Sequence, residues 1–97
     1  MRTLFIIGSC TARRTVTELA AKMASLDYEV SFLFIKDGCQ CLTDRGFINS
    51  IDFAEGRYAL KECIDEKFLR SIQSVDVIDY DGWVRLLEEY ESIVSWT

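Results

Sequence analysis

Residues 3–8 (TLFIIG) form a continuous apolar run at the start of the chain. Such a run predicts a strand that is buried on both faces, which is typical of parallel sheets covered by helices on both sides. Further strand-like segments follow at residues 28–35, 56–61 and 75–80, and amphipathic segments separate them. This alternation predicts right-handed crossovers and an α/β fold, a three-layer sandwich with a mostly parallel, four- or five-stranded sheet of flavodoxin-like topology.

The helices are predicted from apolar residues at helical spacing. The first helix is expected to span about 12–14 residues and to begin at Thr11, or at a capping box of Thr15 and Glu18. A short helix is expected at about 46–53, and a two-turn helix from residue 63 or 65. The last helix is expected to begin at Asp81 as its N-cap. The expected apolar stripes are Val16, Leu19, Ala20, Met23 and Leu26 in the first helix, and Trp83, Leu86 or Leu87, Tyr90 and Ile93 or Val94 in the last.

The size and composition of the chain predict one globular domain, residues 1–97. Hydrophobic residues make up 49% of it and charged residues 28%, which is ordinary for a folded domain. Its apolar runs fall short of the roughly 20 residues that span a bilayer, and residues 3–8 are too few for a secretory signal. We therefore expect a cytoplasmic protein without a membrane segment.

The net charge is −5, and the chain has no histidine. Basic residues do not cluster beyond Arg13 and Arg14, whereas residues 49–97 carry eleven acidic and five basic side chains. Nucleic-acid binding normally shows a basic face, so no direct nucleic-acid binding is expected. The acidic half suits a solvated surface or one that faces another protein.

Four cysteines, Cys10, Cys39, Cys41 and Cys63, are the main functional clue. An even number allows two disulfides, but disulfide-rich small domains are loop-rich and secreted, so we expect free thiols that are structural or reactive. Cys10, Cys39 and Cys63 each come within about two residues of the carboxyl end of a predicted strand, which is where parallel α/β sheets carry their sites.

These cysteines are also potential metal ligands. Cys39 and Cys41 form a Cys-x-Cys pair, which together with Cys10 or Cys63 would supply three thiolates. Zinc and iron–sulfur sites usually show Cys-x2-Cys pairs instead, so no metal site is expected. One member of the pair is expected to pack inward as a small apolar residue.

Cys63 follows the third predicted strand and opens a helix. A helix N-terminus stabilises a thiolate by roughly 0.3–1 kcal/mol. Glu62, Asp65 and Glu66 oppose it, each by about half a kcal/mol or more. Since the two effects are comparable, both an activated thiol and an inert one stay open.

The loop at residues 8–15 occupies the place of phosphate-binding loops, at a helix start that attracts anions. It has one glycine and neither glycine-rich phosphate motif, so an ordinary turn is favoured and no cofactor is expected. Asp79 and Asp81 bracket a strand-to-helix turn, where they are interpreted as turn and cap residues.

Three stretches carry a family resemblance: FIKDG at residues 34–38, YAL at 58–60, and VIDYDGWVRL at 77–86 together with Trp96. They are similar to the DsrH/TusB family of the DsrE/F/H superfamily, intracellular sulfur-relay proteins. The third stretch is the most specific, since the family combines there an apolar strand, Asp-Tyr, an aromatic-Val-x-Leu pattern and a chain-ending Trp. Length and element order agree over nearly the whole chain.

The resemblance implies a small subunit that assembles with DsrE/TusD-like and DsrF/TusC-like subunits, often as a heterohexamer. Such assemblies pass persulfide sulfur between cysteines and exchange it with other sulfur-carrier proteins. In one branch the sulfur ends in 2-thiouridine at the tRNA wobble position, and in the other it serves dissimilatory sulfur oxidation. The DsrH/TusB-type subunit is often accessory.

The chain also departs from the DsrH pattern. The cysteine that this branch carries within the first helix is absent from residues 20–22 (AAK). Cys63, followed by Leu69 and Arg70, instead resembles the active cysteine of the DsrE/TusD type, although Ser71 stands where glycine usually follows. The resemblance therefore implies Cys63 as the candidate sulfur carrier. Cys39 and Cys10 are weaker candidates because of their position near the carboxyl ends of predicted strands.

Two other hypotheses stay open. The chain is then either a noncatalytic assembly module, whose C-terminal helix and Trp96 form an interface for self-association, or a small anion- or flavin-binding domain that uses residues 9–14.

Overall fold

A single parallel sheet organises the molecule. The computed structural model describes residues 1–11, 13–63 and 75–96, except for the side chains of Arg13 and Cys63. Neighbouring strands in the sheet order β4-β3-β2-β1-β5 are all parallel. The predicted α/β architecture is therefore confirmed, with five strands. The strands are β1 (Arg2–Ile7), β2 (Glu29–Phe34), β3 (Gly56–Leu60), β4 (Asp76–Ile78) and β5 (Ser92–Trp96).

Among the described residues, three α-helices and two 3-10 helices lie between these strands. The α-helices are α1 (Arg13–Ser25), α2 (Arg45–Ser50) and α3 (Tyr80–Glu89). The longer 3-10 helix, Lys36–Thr43, holds Cys39 and Cys41 and is called the cysteine segment below. The shorter one, Lys61–Cys63, directly follows β3 and is called the β3 turn.

Both faces of the sheet are covered. Because successive strand residues point to opposite faces, the continuous apolar runs supply two cores at once. One core joins the phenylalanine-rich face to α1, α2 and the cysteine segment. The other joins the aliphatic face to α3 through Leu86 and through Tyr90, which directly follows the helix. This is the expected three-layer arrangement.

Aromatic packing dominates the first core. Phe5, Phe32 and Phe34 are fully buried, with ring centroids 5.6 Å apart for the first two and 6.2 Å apart for the last two. Burial of each such side chain stabilises the fold by about 1.5–3 kcal/mol. This face therefore holds the central strands firmly under the cysteine segment.

The first helix has the expected length but a different start. It spans 13 residues from Arg13, so Thr15 lies inside the helix and the predicted capping box is wrong. Val16 and Ala20 are buried as expected, whereas Leu19 and Leu26 are 41% and 61% exposed. The inward stripe is therefore narrower than the apolar pattern indicated.

The C-terminal region differs most from the prediction. Helix α3 begins after Asp79, whose Oδ1 accepts a hydrogen bond from the Gly82 amide at 2.8 Å, so Asp79 and not Asp81 is the N-cap. The helix ends at Glu89, and residues 92–96 form β5 instead of a further helical turn. β-branched Ile93 and Val94 suit a strand, and β5 supplies hydrogen-bond partners along an edge of β1 that would otherwise be open.

The short helix expected at about 46–53 is α2, which Asp44 caps by accepting hydrogen bonds from the Gly46 and Phe47 amides. The helix expected from residue 63 or 65 lies outside the described residues. Within the parts of the chain described above, no helix has the length and apolar composition needed to cross a membrane.

Candidate functional site at the carboxyl edge of the sheet

The cysteine-bearing elements meet where the parallel strands end, on the side of the sheet called the carboxyl edge below. In a parallel sheet the carboxyl ends of all strands lie on the same side, where α/β proteins place their sites. The loop after β1 holds Cys10, the cysteine segment follows β2, and the β3 turn follows β3. These three strands are direct neighbours, and the cysteine segment contacts the β3 turn.

A close backbone approach brings the cysteine segment over the end of β1. The Ile35 amide donates a hydrogen bond to the Ile7 carbonyl at 2.9 Å, and the Gly38 amide donates to the Ile35 carbonyl at 2.9 Å. A Cβ atom on Gly38 would overlap the Ile7 carbonyl, so only glycine fits there. Lys36 adopts a left-handed φ of 49° at the entry to this segment.

This approach joins Cys10 and Cys41 in a disulfide. Their Cα atoms are 5.5 Å apart, although 31 positions separate them in sequence. Cys39 is also disulfide-bonded. The prediction of free thiols is therefore wrong for all three cysteines whose side chains are described. For Cys10 and Cys41 the reason is that the neighbouring ends of β1 and β2 bring two cysteines together that are distant in sequence.

The bonded sulfur atoms differ in their surroundings. Cys10 is partly exposed, and its Sγ lies 3.5 Å from the carbonyl oxygens of Asp37 and Gly38. Cys41 is 2% exposed and Cys39 is 5% exposed. The Cys39 Sγ lies 3.5 Å from the Phe34 carbonyl oxygen. Of the three, Cys10 alone is within reach of a molecule in solvent.

An open cleft of about 300 Å³ leads to Cys10. Ser9, Thr11, Asp37 and Gln40 line the rest of it. The Thr11 amide donates a hydrogen bond to Ser9 Oγ at 3.3 Å, and the two hydroxyls are 3.0 Å apart. An anion in this loop would need the same amide and hydroxyl groups, which are already hydrogen-bonded to each other.

A second cleft, of about 220 Å³, lies beside the β3 turn. Its lining combines the apolar Ile35 and Leu60 with the aromatic rings of Tyr80 and Trp83, which stack with centroids 6.1 Å apart. The Trp83 indole Nε1 is buried and has no hydrogen-bond acceptor in the described part of the chain. This donor is the polar group that a ligand or a water molecule would satisfy.

The structure places the sequence-predicted cysteines as follows. Cys10 and Cys39 lie at the carboxyl edge, as expected, but in disulfides. The backbone of Cys63 ends the β3 turn at the same edge, while its side chain lies outside the described residues. The sequence analysis did not predict that Cys41 is the partner of Cys10. The signal for this pairing was a cysteine after the first strand together with a Cys-x-Cys after the second strand.

The acids near the last helix keep structural roles. Asp79 caps α3, and Asp81 is exposed in the first turn of that helix. In residues 1–11, 13–63 and 75–96, which the structure describes apart from the side chains of Arg13 and Cys63, no three His, Cys, Asp or Glu side chains are arranged to hold a metal ion.

The fold and the site define a small, all-parallel α/β protein whose carboxyl edge is lined by cysteines. Comparison with protein-family models and with curated proteins finds no match for this chain.

Proposed function

We propose that this chain is a cytoplasmic sulfur-relay subunit in which Cys63 carries sulfane sulfur. The observation that supports it best is the gathering of cysteine-bearing elements at the carboxyl edge of neighbouring parallel strands. The β3 turn belongs to this group and lies beside an aromatic cleft. The resemblance to the DsrH/TusB family points to the same chemistry.

The proposed transfer is a thiol exchange that needs no external oxidant. The Cys63 thiolate attacks the terminal sulfur of a donor persulfide, R–S–SH. The donor S–S bond breaks, R–S⁻ leaves with the electron pair, and a new S–S bond forms on Cys63. Attack by an acceptor thiolate on the carried sulfur reverses these steps and passes the sulfur on.

The proposed partners are DsrE/TusD-like and DsrF/TusC-like subunits and other sulfur-carrier proteins. The eleven acidic side chains of residues 49–97 suit contact with a protein and not with RNA. The acceptor pathway is then either 2-thiolation of the tRNA wobble uridine or dissimilatory sulfur transfer. In both, this chain hands sulfur to protein thiols.

Mass spectrometry tests the carrier. The protein is first reduced and freed of reductant, because disulfides occupy part of its cysteines. It is then incubated with cysteine persulfide and digested with trypsin without reductant. The peptide of residues 62–67 should gain about 32 mass units per sulfur carried.

A Cys63→Ser protein is the matched variant. It should lose this gain while its far-ultraviolet circular dichroism stays that of the wild type. If the wild-type peptide 62–67 takes up no sulfur, or if the whole variant protein still gains as much as the wild type, Cys63 is not the sole carrier.

A second candidate function, self-association, is favoured by an exposed stripe on α3. Tyr80, Val84 and Leu87 are 57%, 54% and 36% exposed, and their spacing places them on one side of the helix. Trp96, which was also predicted at this interface, is partly buried against the phenylalanine-rich core. The C-terminal helix alone is therefore proposed as the interface.

Light scattering tests this second function. Val84→Glu combined with Leu87→Glu should lower the assembly mass, whereas the exposed control Glu88→Gln on the same helix should not. A wild-type protein that is already monomeric, or a double variant of unchanged assembly mass, would contradict self-association through α3.

A further inference from the structure

The Cys10–Cys41 pair provides a chemistry that sulfur carriage at Cys63 does not use. We propose that the reduced pair accepts sulfane sulfur at Cys10 and releases it as hydrogen sulfide, with Cys41 as the resolving thiol. The activity is that of a persulfide-reducing dithiol. It goes beyond the proposed function and does not depend on it, because the reaction needs neither Cys63 nor a partner subunit.

The fold holds the two sulfur atoms within bonding reach. Cys10 is in the loop after β1, and Cys41 is in the segment that crosses the end of the same strand. The backbone hydrogen bond from Ile35 to Ile7 and the packing of Gly38 on Ile7 fix that crossing independently of the disulfide. The two thiols are therefore expected to stay adjacent after reduction.

Their unequal exposure assigns the two roles. Cys10 lies in the open cleft, so an external persulfide meets this sulfur first. Cys41 is 2% exposed, which keeps solvent molecules away but not its neighbour Cys10. A resolving thiol needs this arrangement, since it must attack the persulfide on Cys10 without accepting sulfane sulfur from the donor itself.

The reaction balances in two steps. In the first, the Cys10 thiolate attacks the terminal sulfur of R–S–SH, R–S⁻ leaves, and Cys10 becomes a persulfide. In the second, the Cys41 thiolate attacks Cys10 Sγ, the Cys10–Cys41 bond forms, and HS⁻ leaves with the electron pair. The sulfane sulfur gains two electrons, the two cysteine sulfurs lose them, and a dithiol reductant restores the starting state.

The cleft favours a small persulfide of low negative charge. Its volume of about 300 Å³ and its hydroxyl and amide groups suit an amino-acid-sized donor. The charged side chain that the structure describes in its lining is the carboxylate of Asp37. Cysteine persulfide, which is close to neutral overall, is therefore the probe of choice.

The test is a single turnover of the reduced protein. Wild-type protein, freed of reductant under nitrogen, is mixed with one equivalent of cysteine persulfide, and sulfide is measured against a protein-free blank. We expect the released sulfide and the sulfur retained on Cys63 to sum to about one equivalent, and we expect the sulfide to be accompanied by a disulfide between the tryptic peptides of residues 3–13 and 37–45. Sulfur carriage at Cys63 is read separately in the same digest, from the peptide of residues 62–67.

Three variants assign the roles. Cys10→Ser should reduce sulfide release to the blank. Cys41→Ala should also abolish it and leave a persulfide about 32 mass units heavier on the peptide of residues 3–13. Cys39→Ala, which removes the other buried cysteine of the same peptide, is the matched control and should release sulfide like the wild type.

Several outcomes would overturn the proposal. Undiminished sulfide release by Cys10→Ser or Cys41→Ala would exclude the pair, and loss in Cys39→Ala with retention in Cys41→Ala would assign resolution to Cys39. Wild-type protein that releases no sulfide above the blank also overturns it. Refolded Cys41→Ser serves as a second variant if Cys41→Ala lacks the native circular dichroism.

Discussion

The two edges of the sheet are built from different chemistry. At the carboxyl edge lie Cys10, Cys41 and the close approach of Gly38, beside two clefts. At the opposite side, where the strands begin and which is called the amino edge, Arg2 forms ion pairs with Glu29 at 3.2 Å and with Glu55 at 3.3 Å.

The amino edge is closed by partners within the chain. The Arg2 guanidinium also lies 4.7 Å from the centre of the Tyr90 ring, and the Tyr90 hydroxyl is 2.6 Å from the buried Ser31 hydroxyl. These side chains have neighbours of matching chemistry, whereas the buried Thr3 hydroxyl beside them has no hydrogen-bond partner among the described residues. The carboxyl edge instead presents a partly exposed sulfur and a buried indole N–H without an acceptor. The amino edge is thus held by polar contacts within the chain, whereas the carboxyl edge combines a disulfide that ties the fold with groups that a molecule in solvent can reach.

The largest effect is expected from removing the link at the carboxyl edge. Cys10→Ala with Cys41→Ala should lower the free energy of unfolding of the oxidised protein by about 2–4 kcal/mol, because the disulfide closes a long loop in the unfolded chain. Urea unfolding measures it. Reduced wild type should lose at least as much, and equal stability of oxidised and reduced wild type would show that this edge is not tied by sulfur.

A second prediction concerns the close approach beneath that link. Gly38→Ala should cost about 1–3 kcal/mol of unfolding free energy or more, because its Cβ meets backbone that cannot move aside. Gly46→Ala is the control, since its Cβ meets only the Asp44 carboxylate, at 3.2 Å. If urea unfolding shows equal losses of unfolding free energy in the two variants, the close approach of Gly38 does not stabilise the carboxyl edge.

At the amino edge, Tyr90→Phe should cost about 1–2 kcal/mol, because the Ser31 hydroxyl is fully buried and loses its partner. Tyr80→Phe on the exposed side of α3 is the control and should change stability by less than about 0.5 kcal/mol. Sulfide release should be the same in wild type and Tyr90→Phe. A loss of sulfide release with retained fold would mean that the two edges are coupled.

The smallest effect is a pH dependence near the amino edge. Burial raises the pKa of Tyr58 above its ordinary value of 10.0, and the nearby Tyr90, Asp76 and Glu89 raise it further. The neutral phenol is thus favoured in the folded protein, so its contribution to stability is present below pH 10 and is lost as the pH rises through the raised pKa. Urea unfolding between pH 8 and 11 should show this decline, and Tyr58→Phe should flatten it; a parallel decline in the variant would assign it to other groups.

Much of the fold was predictable because it follows from local patterns. The apolar runs indicate strands buried on both faces, and their alternation with helical segments indicates a parallel sheet, as the structure confirms. The end of the chain was not predicted, because Tyr90, Ile93 and Val94 also match helical spacing. These residues form a strand because β5 pairs with the otherwise open side of β1. This is a tertiary contact, which a short stretch of sequence does not reveal.

The site was predictable in location but not in chemical state. The rule for parallel sheets placed Cys10 and Cys39 correctly at the carboxyl edge. The Cys10–Cys41 bond depends on how closely the cysteine segment crosses β1, which the contact between Gly38 and Ile7 controls. Such a contact joins residues that are far apart in sequence, so neither spacing nor composition reveals it.

The position of β5 also has a consequence for the order in which the sheet forms. Thr3 pairs with Val30 on one side and with Ser92 on the other. Closing the longer loop costs more chain entropy, so β1 is expected to pair with β2 early and to receive β5 last. An inner strand of the finished sheet, β1, is thus an edge strand during folding, and a destabilised β5 would expose it to pairing with another chain.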